Sequence, residues 1–165
     1  NEIGRRAKIT VTGGERDYGF VAGPRDFPVY DTPFGKVGIA VCWDRHRLWI
    51  TRELARSGAQ IVPMPVDDDF NHNAWFPPFH AADGVFRAVE NRVTIGLGTT
   101  NGLSVVVDPY GRILAEGGIN ERSVITAETF VVSEKTLYTK WGDWFGWLMA
   151  ACALGMAAMA FMKKK

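Results

Sequence analysis

One residue with the chemistry of a nucleophile stands at the end of an apolar run. Cys42 follows VGIAV and is itself followed at once by Trp43, Asp44 and further polar residues. A side chain between a strand and a helix is held rigidly and can meet backbone N–H groups, which favours a reactive thiolate. On position alone, Cys42 is a small structural cysteine, a metal ligand, half of a disulfide or a nucleophile.

The composition narrows these alternatives. Only two cysteines are present, without a CxxC pair, so they form neither a disulfide framework nor a zinc cluster. His46, His72 and His80 lack the close, paired spacing of metal ligands, and we predict no metal and no cofactor. The net charge of +1 gives no broad basic surface, which argues against nucleic acid as a partner.

The elements that must position Cys42 alternate between strands and helices. Strands are predicted over FPVYDTPFG, KVGIAV, AQIVPMPV, VTIGLGTTN, LSVVVD, RILAE and SVITAETFVV, and helices over RLWITRELARSG and residues 79–92. A type I turn is predicted at DPYG, residues 108–111, because Asp, Pro and Gly stand at its first, second and fourth positions. This order predicts an α/β fold with a mixed sheet covered by helices on at least one face.

The C-terminal region has a different character. Residues 144–162 carry no charge and would form a helix of about 28 Å, close to the thickness of a bilayer core. Trp141, Trp144 and Trp147 stand at one end, and lysines 163–165 stand at the other. A buried core helix is the alternative, but core helices rarely lack a polar face over this length. We predict a transmembrane helix.

The lysines predict the orientation of that helix. Lys and Arg favour the cytoplasmic side, so residues 163–165 form a cytoplasmic basic tail and residues 1–140 form an extracytoplasmic domain. Cys152 then lies in lipid, where it cannot pair with Cys42. We therefore expect Cys42 to be a free thiol.

Ordered motifs around Cys42 resemble the carbon–nitrogen hydrolase (nitrilase) superfamily. TPFGKVGIAVCWD resembles its nucleophile strand, and the later motifs are NAWF at 73–76, RAVEN at 87–91, TN at 100–101 and SVVVDPYGRIL at 104–114. The resemblance covers roughly residues 8–132. It implies part of an αββα sandwich and a Glu–Lys–Cys triad.

The resemblance also assigns roles to residues near Cys42. Cys42 becomes the nucleophile, and Lys8, in KITVTGGE, becomes the lysine that stabilises the oxyanion, with Glu15 supporting it. A solvated surface lysine is the alternative for Lys8. Trp43 would donate its backbone N–H to the oxyanion, and Asp44 would support the nucleophile without contacting the substrate.

Other residues of the motifs have less direct roles. Trp75 and Phe76 line an acyl pocket or belong to the core, and Glu90 forms a salt bridge or a helix contact. In the family, the base glutamate precedes the lysine by a long distance, whereas only Glu2 precedes Lys8 here. We therefore expect the chain to be the C-terminal part of a longer protein.

The ending TLYTKWGDWFGWL and the apolar run after it resemble the apolipoprotein N-acyltransferase branch of the superfamily, whereas CWD resembles ordinary nitrilases. The first resemblance implies an enzyme of the bacterial inner membrane that moves an acyl chain from a phospholipid donor to a lipoprotein acceptor. A membrane-tethered amidase or nitrilase and a non-catalytic binding relative are the alternatives. Further transmembrane helices upstream would favour the transferase, and an absent base glutamate would favour the binding relative.

Overall fold

Among the residues that the structure describes, six strands form one mixed sheet in the chain order β1 to β6. The computed structural model describes residues 2–68 and 75–163. The strands are β1 Val29–Thr32, β2 Gly35–Gly38, β3 Ile61–Val66, β4 Thr94–Thr99, β5 Val105–Val107 and β6 Ile113–Glu116. The helices are α1 Gly13–Asp17, α2 Leu48–Arg56, α3 Phe76–Asn91, α4 Leu137–Trp141 and α5 Trp144–Met162, and a 3-10 helix spans Cys42–His46.

The centre of the sheet is parallel and its edges are antiparallel. β2, β3 and β4 run parallel, whereas β1–β2, β4–β5 and β5–β6 are antiparallel pairs. Alternate residues of the central strands, including Val62, Met64, Ile95 and Leu97, are buried in one core. Helices α2 and α3 pack on each other, and α3 packs on β4 and β5. The predicted α/β fold with a mixed sheet is confirmed.

β3 contains two prolines although it lies inside the sheet. The carbonyl of Val66 accepts from Thr100 N at 3.1 Å on the β4 side, whereas the carbonyl of Pro63 accepts from Ala40 N at 3.3 Å on the β2 side. Successive residues of a strand direct their backbone N–H and C=O groups alternately towards the two neighbouring strands. Pro63 and Pro65 therefore lack the N–H groups that would point towards β2. Pairing with β4 therefore runs along the whole of β3, whereas pairing with β2 stops after one residue pair.

The helices follow the predicted pattern with one shift. α2 buries Ile50, Leu54 and Ala55 on one face and ends before Gly58, as predicted. α3 begins at Phe76, three residues before the predicted start, because its prolines occupy the first turn, where a missing N–H costs no hydrogen bond. The DPYG turn is confirmed by the bond from Gly111 N to the carbonyl of Asp108 at 3.0 Å.

The predicted strand SVITAETFVV, residues 123–132, is wrong: this described segment pairs with no strand of the sheet. Its bonds go instead to a side chain of the sheet. The Thr94 hydroxyl lies 3.1 Å from the Thr129 hydroxyl and donates to the carbonyl of Phe130 at 3.2 Å. β-branched residues favour extended backbone whether or not a partner strand is present, which explains the misassignment.

α5 stands apart from the core. Over its most apolar stretch, none of the helix is buried, although almost every residue is apolar. Among the described residues, α5 is the helix whose length and composition suit a membrane span. Trp141 and Trp144 pack edge to face at its start, with ring centroids 6.5 Å apart. Lys163 is the last described residue, and Lys164 and Lys165 of the predicted tail lie outside the described residues.

Candidate active site

The Cys42 turn follows β2 at the carboxyl end of the parallel strands. Cys42 opens the 3-10 helix with a φ of 50°, in the left-handed region. Residues that carry a side chain adopt this conformation uncommonly, and such strained positions cluster at functional sites. The thiol is free, as expected, and Cys42 is partly buried against the hydrophobic core. The chain therefore holds this cysteine in one fixed conformation at the edge of the sheet.

Asp44 fastens this turn to the segment that follows Lys8. Its carboxylate is fully buried and accepts from Val41 N at 3.2 Å within the turn. The same carboxylate accepts from Ile9 N at 3.3 Å and from Thr10 N at 2.7 Å. One side chain therefore ties together two segments that are more than 30 residues apart, the turn of Cys42 and the segment of Lys8.

Lys8 and Glu15 form an ion pair, as the family resemblance implied. The Lys8 ammonium donates to Oε1 of Glu15, and the Lys8 side chain is only 15% exposed. Oε2 of Glu15 accepts from Thr12 N at 2.7 Å and from the Thr12 hydroxyl at 2.9 Å. These contacts form a capping box at the start of α1, so the helix cap also fixes the carboxylate that holds the lysine. A freely solvated Lys8 is not what the structure shows.

The electrostatics of this pair favour two charged groups. Burial raises the pKa of Glu15, but the hydrogen bonds from Lys8 and Thr12 outweigh it and lower the pKa below its usual value. Glu15 is therefore ionised at neutral pH. It provides the negative partner that orients the Lys8 ammonium.

Aromatic rings cover the turn next to Cys42. The ring of Trp43 lies 4.4 Å from that of His46 and 6.1 Å from that of His80, between ring centroids. His80 also contacts Phe76 and Phe79, whose centroids lie 6.1 and 6.2 Å away. His80 is thus the centre of an aromatic cluster that joins the nucleophile turn to α3.

Trp75 and Phe76 belong to an open edge and not to the core. Trp75 is 88% exposed and Phe76 is 46% exposed, and with Pro78 and Phe79 they line an apolar concavity at the start of α3. Asn73 and Ala74, the first half of the NAWF motif, lie outside the described residues. The exposure of both rings argues against the core alternative, and a role in an acyl pocket stays a prediction.

Sequence reasoning missed a buried polar network behind the turn. Arg45 is completely buried, and its Nη2 donates to both carboxylate oxygens of Asp68 at 2.9 and 3.1 Å. The same nitrogen lies 2.6 Å from Nδ1 of His80, so the network reaches the aromatic cluster. His46 pairs with Asp83. Burial is the largest cause that lowers the pKa of His46, and the positive charge of Arg45 is the second.

The sequence contained a signal for this network in the residues that follow the parallel strands. Cys42 follows β2, Asp68 follows β3 and Thr100 follows β4, and the carboxyl ends of parallel strands meet at one edge of a sheet. The Thr100 hydroxyl donates to Asp67 at 2.6 Å across that edge. Glu90, by contrast, pairs with Arg87 at 2.9 Å, which confirms its predicted salt bridge. Burial raises the pKa of Glu90.

The chain combines a mixed α/β sheet with a cysteine of left-handed backbone at a strand end, and Asp44 joins the turn of that cysteine to the segment of a lysine that a carboxylate holds. Such a site suits the class of α/β enzymes that use a cysteine nucleophile. Residues 1–131 match the family described as carbon–nitrogen hydrolase. The chain belongs to the carbon–nitrogen hydrolase family.

The curated relatives to which the chain is similar belong to one branch of this family. An apolipoprotein N-acyltransferase of Geobacter metallireducens is 30% identical over 150 residues, which cover 87% of this chain and 29% of the relative. One from Gloeobacter violaceus is 35% identical over 123 residues, which cover 74% of this chain and 23% of the relative. The chain thus spans less than a third of the length of these relatives.

Solved structures show the same fold. The crystal structure of an amidase from Nesterenkonia sp. has a TM-score of 0.59 and 29% identity, and the match covers 68% of this chain and 44% of the amidase. A variant of the amidase from Nesterenkonia sp. AN1 carries the acetamide moiety of fluoroacetamide at its active site cysteine, with the same TM-score and identity and 45% of that chain covered. The predicted nitrilase-like fold is confirmed.

Proposed function

We propose that this chain forms the nucleophile-bearing part of a membrane-bound N-acyltransferase, which transfers a phospholipid acyl chain to the N-terminal amine of a lipoprotein. Cys42 is the nucleophile, Lys8 stabilises the oxyanion and Glu15 orients Lys8. The observation that carries this proposal is the Asp44 carboxylate, which binds the Cys42 turn and the Lys8 segment together. The curated relatives and the exposed apolar helix α5 support the choice of reaction.

The reaction proceeds through two acyl transfers. The Cys42 thiolate attacks the ester carbonyl carbon of the phospholipid, and the Lys8 ammonium and the Trp43 N–H stabilise the resulting oxyanion. Collapse of this intermediate breaks the ester C–O bond, and the lysophospholipid leaves with a proton. The amine of the lipoprotein then attacks the thioester carbon, loses a proton and expels the Cys42 thiolate, which leaves an amide.

The general base of the family triad is a glutamate, and we assign it to none of the described residues. Glu2 ion-pairs with Arg5 at 2.5 Å on the surface, which occupies its carboxylate away from Lys8. Glu15 already holds Lys8, and Glu90 pairs with Arg87. The activity is therefore tested on the longest natural form of the protein that contains this chain.

The proposed topology follows from α5. Residues 144–162 cross the bacterial inner membrane, residues 163–165 are cytoplasmic and residues 1–140 lie on the extracytoplasmic side. Both substrates are lipids that remain in the bilayer, so an anchored domain meets them at the membrane surface. Trp75 and Phe76 then provide an apolar edge for the acyl chain.

Mass spectrometry tests the covalent step. The longest natural form is incubated with phospholipid and without acceptor, and the peptide that contains Cys42 should gain the mass of one fatty acyl chain. Cys42→Ser should fold and insert in the membrane but lose nearly all turnover, because a hydroxyl is far less acidic than a thiol. An unmodified Cys42 in an active preparation would rule the transferase out.

A membrane-tethered amidase is the second candidate, because the structural neighbours named above are amidases. The two reactions share the thioester and differ in what attacks it. The transferase forms an amide with an amine acceptor, whereas the amidase releases an acid to water. Incubation of the loaded protein with a diacylated lipopeptide separates them: an acylated peptide indicates the transferase, and free fatty acid alone indicates hydrolysis.

A further inference from the structure

Four arginines line two adjoining cavities at the start of α2. Arg16, Arg25 and Arg47 line the first cavity, next to residues 9–11. Arg47 and Arg52 line the second, which extends to the start of α5. Arg47 and Trp49 line both cavities, so the two cavities lie next to each other. We name Arg16, Arg25, Arg47 and Arg52 the arginine groove.

Three of these arginines lack the carboxylate partners that most other described arginines have. Among the described residues, no carboxylate forms an ion pair with Arg16, Arg25 or Arg47, and the nearest carboxylate to Arg52 is that of Glu53, at 3.9 Å. Six other arginines each form a closer ion pair with a carboxylate: Arg5, Arg6, Arg45, Arg56, Arg87 and Arg112. Among the described residues, no ion pair balances the positive charge of the first cavity.

Aromatic rings hold two of the guanidinium groups in place. Arg25 lies over the ring of Trp49 at 5.2 Å, and Arg52 lies over the ring of Tyr138 at 5.7 Å. Stacking of this kind orients a guanidinium but leaves its N–H edge available for an anion. The second cavity also contains polar atoms that are buried and, among the described residues, have no hydrogen-bond partner: the Tyr138 hydroxyl and Nε2 of His46.

The position of the groove indicates the source of the anion. Its second cavity reaches Asp143, the residue that precedes α5. If α5 spans the membrane, as proposed above, this end of the groove lies at the level of the lipid headgroups. Asp143 is a carboxylate, so the first cavity is the more cationic of the two. Planar guanidinium groups bind phosphate through two parallel hydrogen bonds, which suits a phosphodiester.

We propose that the arginine groove binds the phosphate of a phospholipid headgroup at the membrane surface, with Arg16, Arg25 and Arg47 as its ligands. This inference rests on the proposed membrane helix but not on the chemistry of Cys42. The bound lipid would fix the height and tilt of the domain above the bilayer. Arg47 and Arg52 would continue the contact towards α5.

Native mass spectrometry of the chain in dodecyl maltoside micelles tests the groove. The protein is offered equal amounts of dioleoylphosphatidylglycerol and dioleoylglycerol, which differ in the phosphate headgroup and share their acyl chains. We expect the phospholipid adduct to exceed the diacylglycerol adduct about tenfold, the effect of one or two charge-assisted hydrogen bonds. Arg25→Gln combined with Arg47→Gln should remove this preference.

A matched control separates a site from diffuse charge. Arg122 is exposed and outside the groove, so Arg122→Gln removes the same single charge as Arg25→Gln and should keep the preference that Arg25→Gln weakens. An equal loss in Arg122→Gln would overturn the proposal, as would displacement of the lipid by an equal concentration of inorganic phosphate. The single variant Arg25→Gln, which loses only a stacked surface group, serves if the double variant fails to fold.

The test is independent of the proposed reaction. Cys42→Ala leaves the groove intact and should bind phospholipid as the unchanged chain does. If Cys42 accepts no acyl chain but the preference persists, the acyltransferase proposal fails and the groove stands. If acylation occurs and the groove variants bind lipid normally, only the groove proposal fails.

Discussion

The turn of Cys42 and the segment of Trp75 face the same aromatic cluster but are constructed in opposite ways. The turn is fixed by the buried Asp44 carboxylate, which three backbone N–H groups contact. The segment that begins α3 exposes Trp75 at 88% and Phe79 at 70%. Hydrogen bonds are directional and fix a reacting atom, whereas apolar contacts tolerate many positions of a ligand. The acyl transfer proposed above would use both properties at one site.

The largest effect is expected at Asp44. Asp44→Ala leaves three backbone donors unsatisfied, at about 1–3 kcal/mol each, and should lower the free energy of unfolding by about 4 kcal/mol. Thermal unfolding of the chain in micelles, followed by near-ultraviolet circular dichroism, measures this loss. Asp31→Ala removes an exposed carboxylate and should change stability by less than about 0.5 kcal/mol. A loss below about 1 kcal/mol for Asp44→Ala would show that the turn is held by other contacts.

Lys8 is expected to affect turnover much more than stability. Lys8→Ala removes the charge at the oxyanion and should slow acyl transfer about a hundredfold, and Lys8→Arg should recover little because a guanidinium is larger and planar. Acyl transfer to a diacylated lipopeptide by the longest natural form measures the rate. Lys36→Ala, on the exposed β1–β2 hairpin, should keep the full rate. If Lys8→Ala is as active as the parent, Lys8 is not the lysine of the triad.

Acid should weaken the anchoring of Lys8 through Glu15. The pKa of Glu15 is lower in the folded chain than its ordinary value of 4.5, so the unfolded state binds more protons between the two pKa values. The stability contributed by the pair is therefore present above pH 4.5 and is lost as the pH falls through the folded pKa. The free energy of unfolding, measured by denaturation at a series of acid pH values, should depend less steeply on pH for Glu15→Gln than for the parent. Glu116→Gln, on an exposed strand, should leave this acid dependence unchanged. An unchanged acid dependence for Glu15→Gln would show that neither Lys8 nor Thr12 stabilises the Glu15 carboxylate in the folded chain.

The smallest effect is expected at the open edge. Trp75→Ala should raise KM for a long-chain phospholipid about threefold, since only part of an exposed ring is covered by a bound chain. The free energy of unfolding should not change, because the side chain is 88% exposed. Phe34→Ala removes a similarly exposed ring from the β1–β2 turn and should affect neither quantity. A loss of stability at Trp75 would place it in the core and remove the contrast between the two regions.

Local patterns predicted most of the fold from the sequence. The alternation in β3 and β4, the amphipathic face of α2 and the uniform apolarity of α5 depend on neighbours within one element. The segment 123–132 was misassigned because its partners are side chains of a distant strand. In the site, motif order indicated Cys42 and Lys8. The partners of Asp44 and Arg45 lie up to 35 residues away, and no local pattern encodes such contacts.

Pro63 and Pro65 have a consequence for how the protein opens. Because they end the pairing between β2 and β3, few backbone hydrogen bonds connect the β1–β2 hairpin to the rest of the sheet. β3 and β4 remain paired over their whole length. Such a boundary divides a fold into units that exchange their amide hydrogens at different rates. The hairpin that leads into the Cys42 turn should therefore open and exchange while the β3–β4 pair is still protected.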